Sequence, residues 1–496
     1  MFDPSYDAIV VGGGPVGCVA ARLLAKRGAR TLLVEACPQA TGKLAGEWLH
    51  PSALRVLQSA GLDPDGFADE AIPGRGFVLH PADDGPEIVL PYRSGQAGCS
   101  IEHEHLVGRL REAAQSHELI TFASGWRVVE VAEGEVRLAR AHGTQSSLVR
   151  TPLVVGADGR ASVVRRSMRP GGDDPRRRSH PISYMVGTVV RGVELPYESF
   201  ANVLLADDGP VFMYRIGPDS LRVTMDVPRS TMSRARRDPT RLVRGLERHL
   251  STHFLRALTR AMRGAELRWA GTSFRARVDY GNDGRALAGD AVGHFHPLTA
   301  TGLTMGFLDA AALASGIGLA AYRAQRERET YLPELASLML YELFTREDSS
   351  AERLREAAFS KLRGDVAMRD SLIRMLSGDF DGWGGFARMM TDISLRAARR
   401  ALSGSADSTK RWSSAGDVGR LLPWLTWPLI AAAPRVGRPR LRRRLAAFLL
   451  GKYSGGTNGA RAPRPHIDEP GAFEAAVSAP RACAIAAAAG NREEPC

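Results

Sequence analysis

Gly12, Gly14 and Gly17 fall in G-x-G-x-x-G spacing directly after the apolar run Ala8 to Val11, and Glu35 follows roughly 20 residues further on. Residues of these types in this order suit the capture of a dinucleotide. Gly12 permits a tight turn, Gly14 lets the backbone approach a pyrophosphate, and Gly17 lets the following helix lie close on the strand. Pro15 and Val16 begin that helix, Pro15 to Arg27, whose amino end faces the phosphates and stabilises their charge. Glu35 ends the second strand, Thr31 to Val34, where a carboxylate accepts hydrogen bonds from a ribose hydroxyl. A glycine turn without any ligand would also place three glycines here. The strand before it, the helix after it and the acid beyond argue for the ligand. These residues do not separate NAD from FAD.

Two further stretches put polar groups at sharp turns. Leu153 to Gly159 is an apolar strand ending at Asp158 and Gly159, continuing to Ser162 and Arg165. Cofactor or pyridine-nucleotide phosphates could be held there, although a plain strand-to-helix turn explains the stretch equally when it is taken alone. In Ala286 to Met305 a strand ends at Gly289-Asp290, a loop crosses with His296 and Pro297, and a helix starts near Leu303. Asp290 suits the hydroxyls of a ribityl chain, and the helix start at Gly302 and Leu303 offers a positive dipole to an electron-rich ring. His294 and His296 lack carboxylate or cysteine neighbours, and His103 and His105 are too close to share one helical face. No metal is expected, and no nucleophile–histidine constellation stands out.

A chain of 496 residues buries a sizeable core and is expected to form two or three lobes. The formal charge of +12 is nearly all arginine spread along the chain, which suits solvated side chains first and an anionic membrane surface second. Arg176, Arg177 and Arg178 stand without interleaved aromatic residues to stack on bases, so no nucleic-acid partner is expected. Cys18, Cys37, Cys99, Cys483 and Cys496 show no paired spacing, which points to a reducing, cytoplasmic setting. The first strand starts too early for a signal peptide, and no run of about 20 apolar residues spans a membrane.

The pattern predicts a helix over Ser52 to Ala60 stopped by Gly61, and a hairpin of Phe77 to Leu79 with Ile88 to Leu90 across Asp83-Asp84-Gly85-Pro86. It also predicts a helix over Glu102 to Ala114 and strands over Trp126 to Val131 and Glu135 to Ala139. Alternation from Ser183 to Val227 predicts the sheet of a second lobe. A charged helical stretch, Ser230 to Arg263, and a returning strand, Ser273 to Val278, follow. Residues 307–402 read as helical, and 454–496, rich in Ala, Gly, Pro and Arg without periodicity, as disordered. Leu421 to Ile430, Arg435 to Arg444 and Ala446 to Leu450 are apolar, basic and apolar in turn. They suit a peripheral contact with the cytoplasmic membrane face through 421–450, or equally a helical cap on the core, since Pro428 and Pro434 interrupt the helix.

The three stretches in this order resemble the FAD-dependent monooxygenases related to p-hydroxybenzoate hydroxylase, from the N-terminus to about residue 315. Ala45-Gly46-Glu47 with Pro51, and His296-Pro297-Leu298-Thr299, are similar more specifically to squalene epoxidase. The resemblance implies an α/β, Rossmann-like FAD-binding domain of the p-hydroxybenzoate hydroxylase and glutathione reductase-2 type in two parts, 1–175 and 285–330. Between them it implies a β-rich substrate domain, 176–284, and after them a helical C-terminal region, 331–453. It implies FAD held by Gly12, Gly14, Pro15, Val16, Gly17, Glu35, Lys43, Glu47, Asp158, Gly159, Asp290, Gly302 and Leu303. Pro297, Leu298, Thr299 and Phe77 would lie beside the reacting ring.

The reaction implied is insertion of one oxygen atom from O2 through a flavin hydroperoxide, the cofactor carrying the hard chemistry. With one dinucleotide fingerprint, NAD(P)H would donate electrons directly or through a flavin or ferredoxin reductase partner. Epoxidation of an alkene in a lipophilic isoprenoid or prenylated molecule, as in secondary metabolism, is favoured over aromatic hydroxylation and over a flavin-dependent prenyl-chain reductase. The W-x-W-x-I-P segment of flavin-dependent halogenases is absent from the sequence. Four departures stand out: His105 where the wider family often places arginine, Lys43 where the epoxidases tend to carry arginine, Phe77 where they have tyrosine, and Ala300-Thr301-Gly302 in place of three glycines.

Overall fold

The computed structural model describes residues 2–39, 44–62, 70–168, 181–206, 209–379 and 383–402. Lys43, Arg176 to Arg178 and the segments 421–450 and 454–496, singled out above, lie outside the described residues. Among the described residues no helix is long and apolar enough to cross a membrane.

Ala8–Val11 (β1) is buried at every position and pairs in parallel on both sides, with Thr31–Glu35 (β2) and Val154–Gly156 (β12). A central parallel strand has no wet face, which is why these residues are continuously apolar. Ile120–Ser124 (β8) extends the sheet beyond β2, and Arg285–Leu287 (β19) with Gly281–Asn282 (β18) extends it beyond β12. Helix Pro15–Ala25 (α1) starts with proline in its first turn, where the missing N–H costs nothing. It packs against His103–Gln115 (α3) and Gly302–Ala314 (α7). Trp48–Leu49 (β3), Ile72–Gly74 (β4) and Gly98–Ser100 (β7) form a small sheet beside Pro51–Ser59 (α2). Gly61, at φ +73°, lies just past that helix. Trp126–Ala132 (β9), Glu135–Arg140 (β10) and Ser146–Arg150 (β11) form an antiparallel ribbon, and Val163–Ser167 (α4) follows β12.

The second lobe is a seven-stranded sheet built on Ser183–Arg191 (β13), Ala201–Ala206 (β14), Gly209–Gly217 (β15) and Ser220–Pro228 (β16). The hairpin expected near residue 80 forms, as Gly76–His80 (β5) and Ile88–Pro91 (β6), and belongs to this lobe: β5 pairs in parallel with β14, Phe77 opposite Ala201. The second-lobe sheet therefore draws on chain from before residue 176.

Two expectations are corrected. Residues 230–263 break into Met232–Arg237 (α5), a short turn opened by Pro239, and Thr252–Ala261 (α6), because Asp238 and Pro239 cannot continue the helix. The returning strand is Arg268–Thr272 (β17), which pairs with β13, and Ser273 to Val278 makes only the bridge from Arg275 to His294. Those residues follow instead the loop they hold. The Arg277 N–H donates to Glu334 at 3.0 Å, and its guanidinium donates to the carbonyls of Gly289 and Gly293 at 3.0 and 2.8 Å.

The C-terminal third is helical through Leu319–Thr345 (α8), Ser349–Gly364 (α9), Val366–Leu376 (α10) and Trp383–Leu402 (α11). Helix α8 carries a polar cluster into the core. Asp309 of α7, fully buried, pairs with Arg277 and, at 2.8 Å, with Arg326 of α8. It also accepts the Gly289 N–H at 2.9 Å. Replacing Asp309 with Ala strands two buried guanidinium groups, and urea unfolding should show a loss of about 3–5 kcal/mol.

Candidate active site

A cavity of about 650 Å³ lies where the three turns meet. Gly12, Gly14, Pro15, Val16, Glu35, Glu47, Asp158, Gly159, Asp290, Pro297, Gly302 and Leu303 all line it. Gly17, Leu298 and Thr299 sit behind its wall. Phe77 is also set back, stacked on His50 with ring centroids 5.6 Å apart.

Each glycine of the first turn has a different reason to be glycine. Gly12 takes φ +105°, and a Cβ there would lie 2.5 Å from the Ala157 carbonyl oxygen. At Gly17 a Cβ would lie 1.8 Å from the Gly12 carbonyl oxygen, so close strand–helix packing excludes any side chain. Gly14 precedes α1 with open space where its Cβ would be. That space, at a helix amino terminus, is the cradle a pyrophosphate needs.

Glu35 is held in place for its task. Its carboxylate accepts the N–H of Gly13 and of Cys37, both at 2.7 Å, and meets Arg111 at 3.4 Å. A carboxylate has further lone pairs, so a ribose hydroxyl still finds an acceptor. Arg111, from α3, also donates to the carbonyls of Gly13, Cys37 and Pro38 at 2.8 to 3.0 Å. His105, on the same helix, is exposed; the buried arginine comes six residues later in the sequence. Its signal was available: Val107, Leu110, Arg111 and Ala114 share the buried face, where an arginine needs partners.

Asp158 accepts the Val163 N–H at 2.6 Å through one oxygen, and its other oxygen is buried without a hydrogen bond. Burial raises its pKa above the usual carboxylate range, offset in part by Ser162 and Val163. An orphaned buried acceptor on a cavity residue fits a ligand that brings a donor. Asp290 meets Arg160 at 3.3 Å, and Arg160 reaches the Gly271 carbonyl at 3.1 Å. The second and third turns and the second lobe are joined there by a residue that periodicity does not single out.

Glu47 is 2% exposed, and both its oxygens are engaged. Arg222 donates to them at 2.7 and 2.9 Å, and the Tyr214 hydroxyl donates at 3.1 Å. Glu47 thus ties the segment before β3 to the second sheet. Beyond it the cavity wall is apolar, with Leu44, Met185, Phe212 and Phe295, whereas Trp126 and Arg127 stand with Glu35 in its lining.

The turn Pro297–Thr299 is fixed by a chain with only one arrangement of protons. Trp48 Nε1–H donates to the Tyr92 hydroxyl at 2.9 Å, which donates to His50 Nδ1 at 2.8 Å. His50 Nε2 therefore carries the ring proton toward the Thr299 carbonyl, at 3.4 Å. Ala300 follows in the left-handed region at φ +52°, turning the chain into α7. Alanine there carries strain that glycine would not.

Burial lowers the His50 pKa to about 4, the Thr299 carbonyl acting in the other direction, and burial lowers His294 to about 3. The unfolded chain takes up both protons near pH 6.5. Stability from these groups is full above that pH and falls as the pH drops toward their folded values, with about one proton per histidine taken up on unfolding. Replacing His50 with Gln should flatten the decline of the melting midpoint between pH 6.5 and about 4. An unchanged slope there would contradict the neutral buried imidazole.

Comparison with known proteins adds the family. Residues 5–334 match the FAD binding domain family. Squalene monooxygenase of Rattus norvegicus is 25% identical over 409 residues, covering 76% of this chain and 69% of that protein. Squalene epoxidase erg1 of Aspergillus fumigatus is 24% identical over 401 residues, covering 71% and 78%. Among solved structures, PqsL of Pseudomonas aeruginosa, described as a probable FAD-dependent monooxygenase, superposes with a TM-score of 0.60 at 22% identity, over 73% of this chain and all of that one. The p-nitrophenol 4-monooxygenase PnpA of Pseudomonas putida gives 0.61 at 18%, over 77% of this chain and all of that one. With the matched segment spanning both halves of the cavity wall, this chain belongs to the FAD binding domain family and is an FAD-dependent monooxygenase of the p-hydroxybenzoate hydroxylase fold.

Proposed function

We propose that the protein inserts one oxygen atom from O2 into an alkene of a lipophilic isoprenoid or prenylated substrate. Gly12, Gly14 and the amino end of α1 would hold the FAD pyrophosphate, Glu35 a ribose, and Asp290 the ribityl hydroxyls. Pro297 and the amino end of α7 would flank the ring. Bound and reduced, FAD supplies the two electrons that divide O2 between the product and water. NAD(P)H serves as the electron source, directly or through a reductase.

The observation that carries the substrate class is the wall contributed by the second lobe. Met185 and Phe212 of its sheet face the cavity there, with Leu44 and Phe295 of the first lobe beside them. Arg222, on the same sheet, is already held by Glu47. Tyr214 also donates to Glu47 and is kept protonated, its pKa pushed well above the ordinary phenol value chiefly by burial. A substrate recognised by such a wall is apolar and uncharged, and the wall's work is to exclude water and orient a double bond.

Reduced protein offered squalene and simpler prenylated aromatics under labelled oxygen should yield an epoxide carrying one labelled atom. Labelled phenols would instead indicate ring hydroxylation, and saturation without oxygen consumption a reductase. Products free of label throughout would reject oxygen insertion. The cofactor assignment has its own test in two glycines. Gly14→Ala should leave the melting midpoint of the apoprotein unchanged while weakening FAD binding tenfold or more, about 1.4 kcal/mol. Gly17→Ala should lower the apoprotein's stability by about 1–3 kcal/mol, since its methyl group meets backbone. Equal FAD affinity for the Gly14→Ala and native proteins would remove the pyrophosphate from this turn.

A further inference from the structure

The turn Pro297–Thr299 is gripped from two sides. On one side stands the Trp48–Tyr92–His50 chain, drawn from β3, the end of β6 and the start of α2, and ending on the Thr299 carbonyl. From the second lobe the grip is on His296, whose ring caps the turn: Nδ1 accepts the Leu298 N–H at 3.3 Å. A ring nitrogen that accepts an N–H has no proton of its own, so the neutral imidazole carries its proton on Nε2. Nε2 faces Ser183 Oγ at 3.1 Å and Asp226 Oδ1 at 3.3 Å.

Ser183 is also hydrogen-bonded with the Tyr341 side chain, and both neighbours offer His296 an oxygen. The Thr272 hydroxyl donates to the Ser183 carbonyl at 2.9 Å, so the proton between the Ser183 and Thr272 hydroxyls belongs to Ser183. That leaves a Ser183 lone pair for His296. Asp226 Oδ1 is buried without a hydrogen-bond partner and lies 3.3 Å from Nε2, an acceptor left over beside the ring. Ser183 begins β13 and Asp226 stands on β16, adjacent strands of the second sheet. Tyr341 of α8 lies against the ring with centroids 4.4 Å apart, which fixes the imidazole plane. His296 itself lines the cavity.

We propose that His296 is a positioning residue that locks the ring-facing turn to the second-lobe sheet through a neutral, Nε2-protonated imidazole. The turn and the apolar wall then keep one spacing, whatever alkene the wall receives. The proposal depends on FAD occupying the cavity and not on the identity of the substrate. It requires an acceptor at position 226, not a charge.

Full-length protein reconstituted with FAD gives the readouts, the visible circular dichroism of the bound flavin and the FAD dissociation constant. Asp226→Asn keeps an acceptor and should match the native spectrum. Asp226→Ala and His296→Asn, the latter keeping the cap to Leu298 but too short to reach Asp226, should change the spectrum alike and weaken FAD about tenfold. Because they break one link, the double variant should be no worse than either single one. A native spectrum for Asp226→Ala, an Asp226→Asn spectrum as altered as that of Asp226→Ala, or additive effects in the double variant would each overturn the proposal. Should Asp226→Ala fail to fold by far-ultraviolet circular dichroism, Ser183→Ala decides. It removes one of the two acceptors, so an intermediate spectrum is expected and an unchanged one overturns the proposal. Native protein that takes up no FAD would instead reject the cofactor assignment.

Discussion

The carboxylate of Asp309 is the point on which the third turn of the site depends. Two guanidinium groups, Arg277 and Arg326, converge on it from different segments, and each is almost fully buried. Burial alone would lower the pKa of both arginines, but Asp309 outweighs it, with Tyr280, and both remain charged. Glu334, which accepts the Arg277 backbone N–H, brings a second buried acid to the same segment. Such clusters contribute little net stability compared with well-packed apolar groups, yet losing one member is severe. What this cluster secures is geometry. Arg277 holds the carbonyls of Gly289 and Gly293 while Asp309 holds the Gly289 N–H, so the backbone flanking Asp290 has few alternatives.

The same economy recurs between the lobes. Glu47 with Arg222, Arg160 with the Gly271 carbonyl, and His296 with Ser183 each join a cavity segment to the second lobe. The Arg222 pair is bidentate, so it fixes orientation as well as distance. Each is a directional contact in a region otherwise made of interchangeable apolar packing. A cavity formed between two sheets needs such contacts, because hydrophobic burial specifies proximity but not angle.

That division explains what could be read from the sequence. The glycine turn, its helix and Glu35 were legible because a covalent constraint acts within 30 residues. Gly17 has to be glycine wherever a helix lies this close to its strand. The hairpin at 76–91 was legible as a hairpin, but its membership of the second sheet was not, since β5 meets β14 more than a hundred residues away. Arg160 and Arg222 look like surface arginines in a chain with 66 basic residues. Only pairing across the fold distinguishes them, as with the 175 positions between Glu47 and Arg222. Helix boundaries near 238 failed for a local reason, the Asp238-Pro239 step, that a charged-stretch reading overlooked.

Four titratable groups in and directly behind the wall near Pro297 share one property. His50 and His294 are held neutral by burial, and Tyr92 and Tyr214 are pushed above the ordinary phenol range by the same cause. Near neutral pH none of the four readily gives up or takes up a proton. Their protons are also directed: Tyr92 toward His50, His50 toward a carbonyl, Tyr214 toward Glu47. Oxygen insertion is defeated when protons reach reduced dioxygen before the substrate does, because it then leaves as hydrogen peroxide. With those protons directed to acceptors within the protein, this part of the wall offers few mobile donors. The pairing that holds the Pro297–Thr299 turn therefore also directs the nearby protons away from the cavity.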